Sequence, residues 1–297
     1  MIKNLPEFED IVNPYAIRFD KRYLPKQISK KNGVSRFLFV RNPYNRLISG
    51  YVDKLLAPNP IYWKAIGVPA IRNTRQKPDL KSIQCGHDLQ FHEYVEYVIK
   101  AMDPKQKGAK VDGHFDRMTT LCKPCGVNYE FVGKMESFAE DSLELARRLK
   151  LSNQTINLLE AEGGRLSWLD AVKDTAHQPF DKKFRKDYIH CISFYEALNR
   201  SWKKMQIRGI IGRQNFPLKE SQENTLTEEQ FVRLAVEARD KSTSEERKQL
   251  QREHFLQMYS KVSKPEFEMI RRIYEADFRL FEYDDKPEIL FGDKKIK

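Results

Sequence analysis

Arg41, Pro43, Arg46, Ser49, Gly50 and Tyr51 lie together at the end of a short apolar run, Phe37-Leu-Phe-Val40. These residue types at this spacing suit the capture of a phosphate. A guanidinium forks onto phosphate oxygens, and a serine hydroxyl adds a neutral donor. A helix that starts just after the arginine turns its free N–H groups and the positive end of its dipole toward an anion. Gly50 lets a ligand or a second backbone come close. The same residues also fit a plainer role: a buried strand whose Arg41 pairs with a carboxylate, and a Ser and Gly that permit tight helix packing.

Other groups invite chemistry of their own. Cys122-Lys-Pro-Cys125 has the spacing of a redox or metal pair. A thiol–disulfide catalyst needs its first cysteine at a helix N-terminus, whereas this pair runs into Gly126 and a strand-like segment. A zinc site needs two further ligands. Cys85, His87, His114, His190 and Cys191 are at hand, but none of them forms a second C-x-x-C pair. Four cysteines permit two disulfides, so structural bridges, including a local one, are the other reading. Gly133-Lys134-Met135 is not a Walker A loop, because Asn128 stands at the first glycine position and Met135 at the Ser/Thr position. No RRM, zinc-finger or helix-turn-helix pattern accompanies the scattered Tyr and Lys residues.

Positioning the phosphate-binding group takes a strand, a turn and a helix. Phe37–Val40 reads as a buried strand, Asn42 as an N-cap and Pro43 as the first helical residue, with the helix running to about Leu56. Residues 57–84, rich in Pro, Lys and Arg, read as a loop or insertion. Phe91, Val95, Val98, Ile99 and Met102 predict a helix over 89–102, and 103–113 reads as a polar loop. Alternation over 127–132 predicts a strand, and Ser137 with Glu140 a capping box for a helix over 138–149. Residues 165–262 are helical and heavily charged. Ser263, Pro265 and Glu266 start a last helix that packs Phe267, Ile270, Ile273, Tyr274, Phe278 and Phe281 on the core. Few strands among many helices predict an α/β fold with a small parallel sheet, in one domain over 1–297.

The 297 residues include 18 Phe and 13 Tyr, enough aromatic content for a packed core. Lys and Arg number 53 against 42 Asp and Glu, a net charge of +11. That excess favours anionic partners without choosing among nucleotides, nucleic acids, membranes and acidic polysaccharides. No apolar run has the length of a membrane span, and residues 1–14 carry acids where a signal peptide has its apolar core. Asn153-Gln-Thr155 and Asn199-Arg-Ser201 are glycosylation sequons, used only if the chain enters the secretory pathway.

The segment 35–56 resembles the 3′-phosphate-binding motif of sulfotransferases, Arg-x-Pro-x-x-Arg-x-x-Ser-x-Tyr after a strand. Arg41, Pro43, Arg46, Ser49 and Tyr51 match it in place. Residues 113–141, GHFDRMTTLCKPCGVNYEFVGKMESFAED, resemble a second signature of the Golgi carbohydrate sulfotransferases of the chondroitin and dermatan type. Residues 273–284, IYEADFRLFEYD, resemble their C-terminal ending. The family-like core is thus 35–141 and 263–284, with 150–260 divergent. The resemblance implies a P-loop-NTPase-like sulfotransferase fold, sulfate transfer from 3′-phosphoadenosine 5′-phosphosulfate to a glycan hydroxyl in the Golgi, and no metal or nucleic-acid partner. It implies that Arg41 and Ser49, with Arg46 beside them, hold the 3′-phosphate. His114, in its family-like Gly-His-Phe context beside Arg117, becomes the candidate general base. Family members also carry an N-terminal anchor and a Lys-bearing loop for the 5′-phosphosulfate. Residues 1–34 offer Lys21, Lys26, Lys30 and Lys31 but no apolar strand entering a Gly/Ser/Thr turn. The N-terminal part is therefore expected to be incomplete. The rival readings are an inactive relative that binds nucleotide and, more distantly, a basic nucleic-acid-binding protein.

Overall fold

The apolar run Phe37–Val40 forms a strand, β1, paired in parallel with β2, Phe131–Lys134. The computed structural model describes residues 35–103 and 111–292. The expectations for 1–34, and for most of the polar loop over 103–113, lie outside those residues. The described chain is a helix-rich α/β structure with one two-stranded parallel sheet. The described residues divide into two compact units, 35–42 with 116–166, and 43–103 and 111–115 with 167–292.

The first unit holds the sheet. Phe37 stands opposite Phe131 and Val40 opposite Lys134, so the second strand starts four residues later than the alternating stretch that predicted it and overlaps it only at Phe131 and Val132. The pairing selects this register. Phe39 lies opposite Gly133, where a Cβ would come within 2.5 Å of its ring. Gly133 is thus a packing residue, and the Phe39 ring leans on Phe131 and Phe138 at centroid distances of 6.0 and 5.1 Å. The Phe138–Arg148 helix follows as expected, but its capping box does not form. Asp141 takes that role, accepting the Lys134 N–H at 2.6 Å and the Ser137 hydroxyl at 2.8 Å.

The second unit is helical. Its core gathers around Tyr44, whose ring lies 5.9 Å from Tyr259 and 5.3 Å from Phe278, with Phe91 5.0 Å from Tyr259. Residues 57–84, read as a loop from their Pro and basic content, are ordered into helices Pro60–Tyr62, Val68–Thr74 and Leu80–Cys85. Pro60 and Pro69 sit in first turns, where a missing N–H costs nothing, and Trp63, Ile66, Ala70 and Ile71 supply a buried stripe. One π-helical turn, Val52–Leu56, precedes the segment and a second, Trp63–Gly67, interrupts it, and the Trp63 indole donates to the Leu55 carbonyl at 2.8 Å. The predicted helix at 89–102 spans Phe91–Ala101. The Lys264–Ile273 helix has its Ser263–Glu266 capping box and buries Phe267 and Ile270. Helix Ser244–Tyr259 is the expected solvated one, burying Leu250, His254 and Tyr259.

Two long-range ties hold this unit. Lys204, only 3% exposed, donates to Asp53 at 2.5 Å and to Gln178 at 3.0 Å, which fixes the first π-turn against helix Phe194–Ile207. Burial would raise the Asp53 carboxyl, but Lys204 and Lys54 outweigh it and hold the group well below the usual carboxylate range. Cys85 and Cys191 are joined in a disulfide, while Cys122 and Cys125 are not disulfide-bonded. The local bridge is therefore not formed, and the zinc reading loses Cys85 and Cys191 as ligands. Among the described residues no cluster of His, Cys, Asp and Glu could hold a metal ion.

Two outcomes follow from these ties. Cys191→Ala removes a cross-link across 106 residues and should destabilise the unit by about 2–5 kcal/mol in chemical denaturation. Because the Asp53 pKa is depressed on folding, its contribution is complete above the unfolded value of about 4 and fades as pH falls below it. Asp53→Asn should therefore lower stability at neutral pH, and its deficit against wild type should shrink toward about pH 2. A deficit independent of pH would refute that account.

Candidate functional site

Only Arg41 and Asn42 separate Val40 from the Pro43–Tyr51 helix, so the expected strand–turn–helix is present. Leu47 and Ile48 are buried along with Pro43, Tyr44 and Tyr51, leaving Asn45, Arg46, Ser49 and Gly50 part-exposed. The helix is oriented by its tyrosines. Tyr44 donates to the Asp285 carbonyl and Tyr51 to the Leu89 carbonyl, each at 2.8 Å. Burial pushes the Tyr51 hydroxyl up to about 12, so it remains a donor at every working pH. Tyr51, a motif position, is thus an anchor of the helix.

Arg41 and Asn42 close the first stretch of the strand-bearing unit, and Arg46 and Ser49 belong to the helical one. The Asn42 backbone N–H donates to the Glu136 carboxylate at 3.0 Å. Glu136 thus lies in the turn from β2, which ends at Lys134, into the next helix. Arg46 and Ser49 are three residues apart on the helix and share one face.

Within the helical unit, Arg46 and His114 are brought together. The Arg46 guanidinium donates to the Gly113 carbonyl at 2.8 Å. On the same helix, Gly50 faces the loop: a Cβ there would lie 3.5 Å from the His114 carbonyl and 3.2 Å from the Tyr94 hydroxyl. The following residue, Phe115, is 2% exposed, and its carbonyl accepts from the Tyr274 hydroxyl. The 112–115 loop is therefore clamped on both sides of His114.

The His114 ring meets Asp112 through Nδ1 at 2.7 Å, and the same Asp112 oxygen accepts the His114 backbone N–H at 2.9 Å. An ionised Asp112 requires a proton on Nδ1, which leaves Nε2 as the basic nitrogen. Tyr62 packs edge-on against the imidazole at 5.0 Å, and the Lys54 ammonium lies 5.0 Å above the Tyr62 ring. A half-exposed imidazole with a fixed tautomer can accept a proton from a bound hydroxyl. Asp112 and Tyr62 were not singled out from sequence, and Tyr274 was read there as a core residue, not as a partner of this loop. The Asp-x-His spacing was the signal for Asp112; nothing local marks Tyr62, which reaches His114 only through the fold. Arg117, beside His114 in sequence, belongs to the strand-bearing unit.

The family model described as the sulfotransferase family matches residues 16–189. Carbohydrate sulfotransferase 8 of Mus musculus is 32% identical over 124 residues, 42% of this chain and 28% of that protein. Carbohydrate sulfotransferase 12 of Mus musculus is 33% identical over 150 residues, covering 48% and 35%. Carbohydrate sulfotransferase 11 of Rattus norvegicus is 34% identical over 140 residues, covering 46% and 39%. The matched stretch thus spans about a third of the length of these relatives. No solved structure matches the chain. With the family match running from residue 16 to residue 189, through both the strand–turn–helix and the His114 loop, the chain belongs to the sulfotransferase family.

Proposed function

We propose that this protein transfers the sulfuryl group of 3′-phosphoadenosine 5′-phosphosulfate to a hydroxyl of a glycosaminoglycan or glycoprotein glycan in the Golgi lumen. Both units would form one P-loop-like sulfotransferase domain of the chondroitin and dermatan type. The observation that carries this reading is the double duty of the Pro43–Tyr51 helix: it bears the motif residues Arg46 and Ser49 and also grips the loop of His114. The Cys85–Cys191 disulfide supports an oxidising, lumenal location. No described helix is long and apolar enough to cross a membrane.

In this reading Arg41 and Ser49 hold the 3′-phosphate, Arg41 as a charged fork and Ser49 as a hydroxyl donor. The acceptor oxygen attacks sulfur, the bond from sulfur to the phosphate oxygen breaks, and adenosine 3′,5′-bisphosphate leaves. The acceptor proton passes to His114 Nε2, and Asp112 offsets the charge that forms on the imidazole. Arg46, engaged with Gly113, acts mainly by holding that loop.

Binding of adenosine 3′,5′-bisphosphate tests the donor half. Arg41→Ala should weaken it by roughly tenfold to a hundredfold, the value of a charge-assisted hydrogen bond, and Ser49→Ala by less. No binding by wild type, or equal binding by wild type and Arg41→Ala, would sink the assignment. Tight binding without sulfate transfer would instead select the nucleotide-binding relative without activity. The transfer half is read from turnover. His114→Ala should lower kcat by about 10²–10⁴, and Arg46→Ala should lower kcat with little change in donor affinity. A raised donor Kd with intact kcat would return Arg46 to phosphate binding.

A further inference from the structure

The two sequons stand in contrasting positions. Asn153 is the first residue of helix Asn153–Phe180, at an exposed corner where the chain leaves helix Phe138–Arg148 through Lys150 with a φ of 55°. Ser152, Asn153 and Gln154 are all exposed. Thr155 is buried, but in the first helical turn, with its N–H and hydroxyl both bonded to Ser152, at 3.2 and 3.0 Å. Opening one turn at a helix end is among the least costly local unfolding events. That opening is what an enzyme needs to read the Asn and Thr side chains together.

Asn199 is the sixth residue of the 14-residue helix Phe194–Ile207. Its carboxamide is half-buried and donates to the Tyr195 carbonyl at 2.9 Å. Ser201 of the same sequon is fully buried. The helix around them buries Phe194, Ala197, Leu198, Trp202 and Met205, and Arg200 between the sequon residues donates to the His87 carbonyl at 2.6 Å. Exposing this sequon means removing a core helix from its packing. The neighbouring Cys191 is also cross-linked to Cys85.

We propose that Asn153, and not Asn199, carries an N-linked glycan. The inference rests on the lumenal location given above. The Asn153 Nδ2 forms a bond to the anomeric carbon of an oligosaccharide carried on a polyprenyl pyrophosphate. The bond from that carbon to the pyrophosphate oxygen breaks, the amide loses one proton, and polyprenyl pyrophosphate leaves. The product sugar projects from a helix corner where nothing in its own unit must move to accommodate it.

The test expresses the protein from its full-length transcript in cultured eukaryotic cells and follows two readouts. One is the mobility shift removed by an amidase that cleaves N-glycans. The other is the Cys85–Cys191 linkage, seen by non-reducing peptide mapping. The expected result is a formed disulfide and a single glycan. Its release should leave an aspartate at position 153 in the tryptic peptide from Leu151 to Arg165. Asn153→Gln should abolish the shift, Asn199→Gln should leave it unchanged, and Thr155→Ser should preserve it. A formed disulfide without a glycan on Asn153, or a shift that survives Asn153→Gln, overturns the proposal alone. Absence of both disulfide and glycan in wild type overturns the lumenal location and the proposal with it.

Discussion

The Pro43–Tyr51 helix has to bury one face completely while leaving Arg46 and Ser49 within reach of solvent, and most of the helical unit is arranged to meet that demand. Apolar packing by Leu47 and Ile48 sets its depth but is non-directional. Direction comes from hydroxyls: Tyr44 to Asp285, Tyr51 to Leu89, and Tyr259 to the Tyr44 carbonyl at 2.9 Å. Each tyrosine fills core volume with its ring and fixes the rotation of the helix with its oxygen. The π-turn that follows is then tied down through Asp53 and Lys204. A rigid carrier of this kind lets Arg46 hold the Gly113 carbonyl, and with it the 112–115 loop, in place.

The charge excess of the chain takes a different meaning once its cations are located. Arg75 is bound through both sides of its guanidinium, to Glu93 at 2.6 and 2.8 Å and to Asp88 at 2.7 Å. Arg271 is forked onto Asp285 in the C-terminal turn. Lys204 is buried. These groups hold helices together and are not offered to a ligand. Net charge therefore described the long-range field and said little about which arginines meet an anion.

What was legible in the sequence followed from local rules. β1 and the start of the next helix were marked by an apolar run and by Pro43, and the Lys264–Ile273 helix by Ser263, Pro265 and Glu266. What was missed depended on partners distant in sequence. The register of β2 is set by β1, and the stripe of Trp63, Ile66, Ala70 and Ile71 was hidden by basic residues and first-turn prolines. In the site, the motif residues were readable because they lie on one segment. The contact of Arg46 with Gly113 spans 67 residues, and no local pattern encodes it. The pairing of Cys85 with Cys191 was equally silent, since four cysteines alone do not specify their partners.

That disulfide also imposes an order of events. Residues 116–166, part of the strand-bearing unit, lie wholly inside the loop that Cys85 and Cys191 close, while both cysteines belong to the helical unit. During synthesis the clasp cannot form until Cys191 has emerged, by which time the whole inserted stretch is already outside the ribosome. The strand-bearing unit has its chain complete first and can fold first, because domains generally form from the N-terminal side as they appear. The helical unit, interrupted by that stretch, must wait as an open-ended fragment. Its exposed aromatic residues then make it the part of the newborn chain most in need of a chaperone.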